Sequence, residues 1–320
     1  GLRLCLSERD EYDMAKSILK KLLQTMIVLL GVALMIFIML RMIPGNAVVT
    51  MMGEHADAVK IERMTAELGL DQPFYVQFGR YISGALRGDF GTSYALSKSV
   101  TSLLSSSFPN TIKLALAAAA VAWVIGIVSG VIAAVTRNGL IDRLFMGFSL
   151  FGVSVPVFMV AMVLQYFIAF QLGWLPISGV ASWQGYILPA IALGWNSAGS
   201  IARLTRSTLV EILQEDYIDT ARAKGRGSMG VILFHALRNA LLPVITMMAL
   251  QISSLLSGAV ITETIFGIDG IGRLAVAAIS GRDIPLLQGT VLFTTVIVIA
   301  GNFIADCLYT VLDPRIRREA

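Results

Sequence analysis

The residues of this sequence that could do chemistry are its charged side chains, and the densest group of them lies between two strongly apolar stretches. This segment, residues 215–243, reads EDYIDTARAKGRGSMGVILFHALRNALLP. Small residues let a partner backbone approach, and flanking charges of both signs fix its register. The segment therefore predicts a docking surface for another protein. An ordinary loop packed on its own apolar neighbours is the alternative that the pattern alone leaves open.

Motifs that would make the chain an enzyme are absent from the sequence. It contains no GxxxxGK(S/T) phosphate loop, no HExxH zinc motif and no GxSxG nucleophile turn. The histidines His55 and His235 are predicted to lie on opposite sides of a membrane, and Cys5 and Cys307 stand at opposite ends of the chain. We therefore expect no catalytic, metal-binding or cofactor-binding residue, and any ATP-driven work needs a partner.

The composition indicates an integral membrane protein. Of the 320 residues, 56% are hydrophobic and only 14% are charged, and the mean hydropathy is +0.76. A soluble core could not bury that much apolar surface. The net charge of +4 would also suit a nucleic-acid partner, but the positive residues follow the predicted membrane topology instead, which disfavours that partner.

Six apolar stretches are long enough to cross a bilayer, because a helix rises about 1.5 Å per residue and the hydrocarbon core is roughly 30 Å thick. They are residues 22–41, 110–135, 143–171, 187–206, 240–266 and 286–312. Of the 25 Lys and Arg residues, 16 fall in segments that become cytoplasmic if the N-terminus is cytoplasmic. The sequence thus predicts an all-α membrane protein with six transmembrane helices and both termini in the cytoplasm.

The predicted spans divide the chain into segments. The first span is an uncleaved anchor, because its apolar run is too long for a signal peptide and no small-residue cleavage pattern follows. The segments are an extension of no functional weight (1–13), the anchor helix (14–41), an extracytoplasmic loop (42–108), a core (109–312) that includes cytoplasmic helices over 211–240, and a cytoplasmic tail (313–320).

The extracytoplasmic loop is predicted to fold as a small cap. A helix is expected around 56–68, and apolar residues then recur at helical spacing. They are Leu70, Phe74, Phe78, Tyr81 and Ile82. These side chains either meet a solute or a delivery protein, or pack on the outer ends of the spans.

The 215–243 segment has the periodicity of two short helices. Residues three and four apart form one apolar stripe before a glycine break at Gly225 and Gly227, namely Val210, Leu213, Tyr217 and Ala221. Ser228 is the expected N-cap of a second helix, and Pro243 is expected in the opening turn of the fifth span. The second stripe consists of Met229, Ile232, Leu233, Ala236, Leu237 and Ala240.

The run DTARAKG, followed by HALRNALLP, resembles the cytoplasmic signature of bacterial ABC-importer permeases, which reads Glu-Ala-Ala, three residues, Gly and later Leu-Pro. Here Asp219, Thr220, Ala221 and Gly225 stand at the motif positions, and Leu242 with Pro243 closes it. Asp-Thr replaces Glu-Ala and the Gly-to-Pro distance is longer, as in the dipeptide/oligopeptide/nickel branch. Further fragments resemble that branch: RMIPG, LGLDQPFYVQF, GDFGTSY, WLP, YILPAIALG, TIFGIDGIGRL, RDIPLLQG and LDPRIR.

The resemblance implies the fold of type I ABC importers, of the dipeptide-permease B-type subunit. It implies a heterodimer with a second permease, two ATP-binding subunits that hold ATP and Mg, and an extracytoplasmic binding protein. The implied solute is a dipeptide or oligopeptide, with nickel, a metal chelate, glutathione or an opine-like solute as alternatives. The residues expected to dock an ATP-binding subunit are Glu215, Asp216, Tyr217, Asp219, Thr220, Ala221, Arg222, Ala223, Lys224 and Gly225.

Polar residues within the predicted spans are candidates for lining a conduit, since such groups are costly in a bilayer. They are Gln165, Asn196, Gln251, Ser254 and Glu263. Hydrogen bonding between helices explains them equally well, and Glu263 has pairing with Arg273 as its alternative. Arg206 is expected to reach the membrane surface. An ion-coupled secondary transporter is the alternative of another class, although no internal repeat supports it.

Overall fold

The computed structural model describes residues 23–39, 41–42, 58–67, 69 and 71–312, and this part of the chain is helical apart from turns and one isolated bridge between Thr92 and Ser99. The segments 1–13 and 313–320, and Leu70 of the cap, lie outside it. The helices are α1 (Leu23–Met39), α2 (Ala58–Glu67), α3 (Phe74–Leu86), α4 (Val100–Val135), α5 (Leu140–Ser154), α6 (Val157–Leu164), α7 (Ile187–Ile212), α8 (Asp216–Ala223), α9 (Ser228–Val231), α10 (Leu237–Ile265), α11 (Ile271–Ser280) and α12 (Ile284–Leu312).

Two π-helical stretches and one 3₁₀ turn complete the regular structure of the described chain. The π-helical stretches are Gln165–Gln171, which continues α6, and Ile232–Ala236, which joins α9 to α10. The 3₁₀ turn, Trp183–Tyr186, leads into α7. The described residues divide into two compact units, an N-terminal unit within 1–104 and 277–299 and a central unit within 105–276 and 300–320.

In the N-terminal unit, aromatic side chains join α1 to α3. Phe37 of α1 is only 3% exposed. Its ring meets Phe74 and Phe78 edge-on, each at 5.2 Å between centroids, and stacks with Tyr81 at 6.0 Å. Burial raises the pKa of the Tyr81 hydroxyl, which donates to the carbonyl of Gln288 at 3.2 Å. The aromatic residues of the cap thus pack against the first apolar helix, as one of the two sequence interpretations expected.

The same unit brings two of the resemblance fragments together through Asp283. This buried carboxylate accepts hydrogen bonds from the Ser93 hydroxyl at 2.6 Å and the Ala95 backbone N–H at 3.0 Å. Its other oxygen accepts from the Leu286 N–H at 3.1 Å, which caps the N-terminus of α12. GDFGTSY and RDIPLLQG are therefore two halves of one hydrogen-bonded junction.

In the central unit, α4 packs closely against α7 because glycines remove side-chain bulk. A Cβ on Gly126 would lie 2.7 Å from the Ile201 side chain, and one on Gly130 would lie 2.6 Å from the Ala202 carbonyl oxygen. Such contacts require glycine. Two glycines four residues apart on α4 thus permit the close approach of α7. A buried apolar cluster, which includes Leu114, continues this packing onto α6 and α10.

The third predicted span, residues 143–171, is not one straight helix. Leu140–Ser154 and Val157–Gln171 meet at an angle of 104°. The cause is Pro156: the residue before a proline is pushed out of the helical region, and Val155 has φ −83° and ψ 126°. The prediction of a continuous span was therefore wrong in this respect.

The described helices include three that are long and apolar enough to cross a membrane, or four if the bent pair forms one span. The three are Val100–Val135, Ser228–Leu256 and Ile284–Phe303. The helix Val100–Val135 begins ten residues before the predicted span, and its 36 residues extend about 54 Å. This helix is longer than the roughly 30 Å of the hydrocarbon core, and its first residues belong to the predicted loop 42–108. The number of six spans stays a prediction.

Candidate partner-docking surface

The helix α8 carries the residues for which docking was expected. It is separated from α7 by a turn at residues 213–215, where Glu215 has φ −77° and ψ 141°. The apolar stripe predicted from Val210 through Ala221 is therefore not on one helix, which corrects the sequence interpretation. Gly225, with φ +81°, follows α8 and ends the first half of the 215–243 segment in a conformation that glycine adopts readily. This confirms the predicted break.

A single buried side chain of α8 anchors the helix. Ile218 has no exposed surface and packs among buried residues of α4, α7 and the 228–240 segment, namely Ala134, Leu209, Val231, Ala236 and Ala240. Tyr217, which the sequence placed in the apolar stripe, is 42% exposed instead. Its hydroxyl accepts a hydrogen bond from the Asn239 side-chain amide at 2.8 Å. A rigid-body push on α8 would therefore be passed to three neighbouring elements.

The outward face of α8 is a polar, charged surface. Of the ten predicted docking residues, all except the half-buried Ala221 are exposed, namely Glu215, Asp216, Tyr217, Asp219, Thr220, Arg222, Ala223, Lys224 and Gly225. Arg222 and Asp219 form an ion pair at 2.9 Å on this surface, which contributes little stability because both groups remain in water. The residues have the exposure that a docking surface needs.

The second half of the 215–243 segment differs from the prediction in two ways. Ser228 is the first helical residue rather than the N-cap, a position held by Gly227, and no side chain caps this end. Pro243 lies inside α10 rather than in an opening turn, because helical structure already begins at Ser228 and passes through the π-helical stretch Ile232–Ala236.

An ion pair that the sequence analysis did not predict joins α7 to α5. Arg206, near the end of α7, bonds both carboxylate oxygens of Asp142 at 2.6 Å each. Asp142 is in the first turn of α5 and also accepts the Asn138 backbone N–H at 2.9 Å. Its side chain is 5% exposed. Arg206 is therefore fixed against α5. The signal in the sequence was an acid in the first turn of a helix.

Most of the polar candidates for a conduit make hydrogen bonds within the chain. The Gln165 amide donates to the carbonyls of Ile177 at 2.9 Å and Ile265 at 3.2 Å. The Asn196 amide donates to the Val153 carbonyl at 3.2 Å.

Two further candidates lie on α10. The Gln251 amide donates to the Ser197 carbonyl at 3.4 Å. Ser254 is exposed. The structure thus places Asn196 on α7, Gln165 in the π-helical stretch that continues α6, and the other three candidates on α10.

Glu263 is the most enclosed of these candidates. Its side chain has no exposed surface. One carboxylate oxygen accepts from the Thr111 hydroxyl at 2.7 Å, and the other accepts the Arg273 backbone N–H, in the first turn of α11, at 3.1 Å. The Thr111 oxygen in turn accepts the Ile271 N–H at 2.9 Å. Glu263 is thus held by hydrogen bonds within the chain, and it meets Arg273 through the backbone N–H and not through the guanidinium. The Arg273 guanidinium bonds the Asp269 carboxylate at 2.7 Å instead.

Comparison with protein families supplies the deciding observation. Residues 126–318 match the family described as the binding-protein-dependent transport system inner membrane component, and residues 14–115 match its N-terminal companion. The chain belongs to this family. It is a permease subunit of a binding-protein-dependent ABC importer of the dipeptide/oligopeptide/nickel type. This membership replaces the secondary transporter that the sequence left as an alternative, and it makes the chain a multi-pass protein of the inner membrane.

Relatives of the permease match it over nearly its whole length. The glutathione transport system permease protein GsiC of Salmonella paratyphi A is 42% identical over 95% of this chain and 99% of its own. The protein of the same name from Escherichia coli K12 is 41% identical over the same shares.

Solved structures show the fold. The MetNI methionine ABC transporter in an inward-facing conformation superposes with a TM-score of 0.57 at 19% identity, covering 66% of this chain and 96% of that one. An amino acid ABC transporter gives a TM-score of 0.52 at 16% identity, covering 65% and 94%. The permease therefore shares the fold of ABC-importer membrane subunits.

Proposed function

We propose that the permease carries a small peptide inward across the cytoplasmic membrane, and that glutathione is the first solute to test. The observation that carries this proposal is the near full-length match, at 41–42% identity, to permeases named for glutathione transport. Glutathione is a tripeptide, and it is one of the alternatives to a dipeptide or oligopeptide that the resemblance implied. The termini are proposed to be cytoplasmic, in keeping with the distribution of Lys and Arg.

The proposed assembly contains a second permease, two ATP-binding subunits and an extracytoplasmic solute-binding protein. The ten residues of the α8 surface, Glu215 to Gly225 without Ile218, would seat in one ATP-binding subunit. Closure of the ATP-binding subunits would push α8 and turn the transport path outward, and hydrolysis would reset it. The exposure of this surface and the single anchor at Ile218 support the proposal, because a rigid lever needs an open face and a fixed base.

The docking role is tested by Gly225→Leu. A Cβ at Gly225 would meet no atom of this chain within 4 Å, so the added side chain would project into the partner. Gly173→Leu is the matched control, since Gly173 also has a positive φ and the same free space. Asp219→Lys is a second variant, which reverses the charge of the surface without backbone strain.

We expect Gly225→Leu and Asp219→Lys to remain in the membrane, to lose at least about tenfold of the ATP-binding subunit that co-purifies, and to stop uptake. Gly173→Leu should retain both. If Gly225→Leu assembled and transported like the control, the docking role of α8 would be refuted. Peptide transport itself is tested by uptake of labelled glutathione and of a dipeptide into vesicles with the reconstituted complex and its binding protein. The absence of ATP-dependent uptake of either would refute the solute class.

A further inference from the structure

A cleft of about 690 Å³ lies in the central unit, between α4, α7 and the loop that leads into α7. Its volume is within the roughly 300–1,000 Å³ typical of small-molecule sites. The five polar residues that the sequence suggested for a conduit are not among its described lining. The polar groups that line it are Asn110, Lys113, Ser182, Trp183 and Tyr186.

One wall of the cleft is held in place by hydrogen bonds. The Tyr186 hydroxyl donates to the side-chain oxygen of Asn110 at 3.0 Å, and the Asn110 amide donates to the Asp269 carbonyl at 3.0 Å. Burial, and secondarily the charge of Glu263, raises the pKa of Tyr186, so its hydroxyl stays neutral. The wall is therefore preorganised, which lowers the entropy cost of binding.

Lys113 brings the only charge to the described lining. It lies three residues after Asn110, on the same face of α4. Its side chain is exposed, and within the described chain it has no carboxylate within ion-pair distance. The remaining wall is largely apolar, with Ala117, Val121 and Ile191 among its members. An unpaired cation beside an apolar wall is suited to an anion that also carries an apolar part.

Trp183 adds a planar surface at the rim. Its side chain is 73% exposed, although a large indole ring gains free energy when it is covered. The cleft thus offers the Lys113 cation, a neutral amide and hydroxyl, and the exposed Trp183 ring. A short peptide has groups that suit each of these, namely a terminal carboxylate, backbone polar groups and side chains of mixed polarity.

We propose that this cleft is a solute subsite in which Lys113 pairs with a carboxylate of the transported peptide and the Trp183 ring covers its apolar part. The proposal rests on the peptide transport and the orientation proposed above, in which this end of α4 and α7 faces outside. The subsite would hold the peptide after the binding protein releases it. A peptide that is not held would return to the outside, while ATP hydrolysis continues.

The test measures peptide delivered per ATP hydrolysed by the complete complex in vesicles, with labelled glutathione and a dipeptide as probes. Lys113→Gln should lower this ratio about tenfold, the loss expected for one charge-assisted hydrogen bond, and leave stimulated ATP hydrolysis within about twofold. Lys113→Arg, which keeps the charge, should stay within about threefold of the unaltered protein. Lys98→Gln, at another exposed lysine, is the control and should change nothing.

The ring is tested in the same way. When the probe is a dipeptide with large apolar side chains, Trp183→Ala should lower the amount of peptide delivered per ATP hydrolysed. Trp174→Ala should leave this ratio unchanged. Trp174 is a matched control because it is 72% exposed and lies in the same loop.

The outcomes separate the subsite from the transport function. If the unaltered complex moves no peptide, the transport function itself fails. If it does, and Lys113→Gln delivers as much peptide per ATP, the subsite is refuted while transport stands. An equal fall in ATP hydrolysis and uptake would also refute it, because that pattern indicates damage to assembly. A difference seen only in vesicles with anionic lipid, and not in phosphatidylcholine alone, would assign Lys113 to an anionic lipid headgroup and refute the subsite.

Discussion

Replacing Thr111 with Val tests whether the Glu263 junction holds α4, α10 and α11 together. Valine keeps the shape of threonine and removes only the hydroxyl. That hydroxyl donates to Glu263 at 2.7 Å and accepts from the Ile271 N–H at 2.9 Å. Thr111 is 5% exposed and Glu263 is fully buried, so water cannot replace either bond without a rearrangement.

The expected cost follows from the two bonds. A hydrogen bond to a charged group contributes about 1.5–3 kcal/mol, and a buried N–H left without a partner costs about 1–3 kcal/mol. Thr111→Val should therefore destabilise the protein by about 2.5–6 kcal/mol. At roughly 2–4 °C per kcal/mol, the apparent melting temperature should fall by about 10 °C.

The assay is thermal unfolding of the purified complex in detergent, followed by loss of the monodisperse peak at one fixed heating rate, because membrane complexes unfold irreversibly. Thr264→Val is the matched control: Thr264 is exposed and its hydroxyl bonds only the Val260 carbonyl of its own helix. We expect the control to shift the melting temperature by no more than about 2 °C.

A double-mutant cycle makes the test specific. Glu263→Gln keeps an acceptor for Thr111 but weakens the bond by removing the charge, so Thr111→Val should cost at least about 1 kcal/mol less in that background. Equal shifts for Thr111→Val and Thr264→Val, or no coupling with Glu263→Gln, would show that the junction does not stabilise the fold.

Two further predictions concern the central unit and use the same thermal assay. Arg206→Lys should destabilise by about 1–3 kcal/mol, because lysine cannot reproduce the two-pronged contact with the buried Asp142. A shift no larger than that of Thr264→Val would contradict this. Gly130→Ala should destabilise the protein by about 1–3 kcal/mol, because the added methyl group would overpack against the backbone of α7. Gly147→Ala is the control and should be neutral or stabilising, since Gly147 has open space around it. A neutral Gly130→Ala would argue against the close approach of α4 and α7.

The features that the sequence predicted well depend on local chemistry. The helix expected around 56–68 is Ala58–Glu67. The break at Gly225 is where a residue with positive φ was expected. In both cases the signal lies within a few residues of the element, through apolar spacing or through a backbone conformation that one residue type adopts easily.

The features that the sequence analysis missed are changes of chain direction. Apolar spacing alone did not reveal that Pro156 bends the third span by 104°, because a stretch of uniform hydrophobicity has no period to interrupt. The stripe through Tyr217 was wrong because α8 turns away from α7 and buries Ile218 instead. A helical period cannot report such a change of direction.

The sequence by itself determined the class of protein and its family, because composition and short motifs are properties of neighbouring residues. Only the tertiary structure decided which polar groups form hydrogen bonds with one another and which remain accessible in a cleft. It enclosed Glu263 between Thr111 and the start of α11, and it left Lys113 beside a cleft without a carboxylate partner among the described residues. Burial in a low-dielectric interior depends on residues more than a hundred positions apart, so no local pattern specifies it.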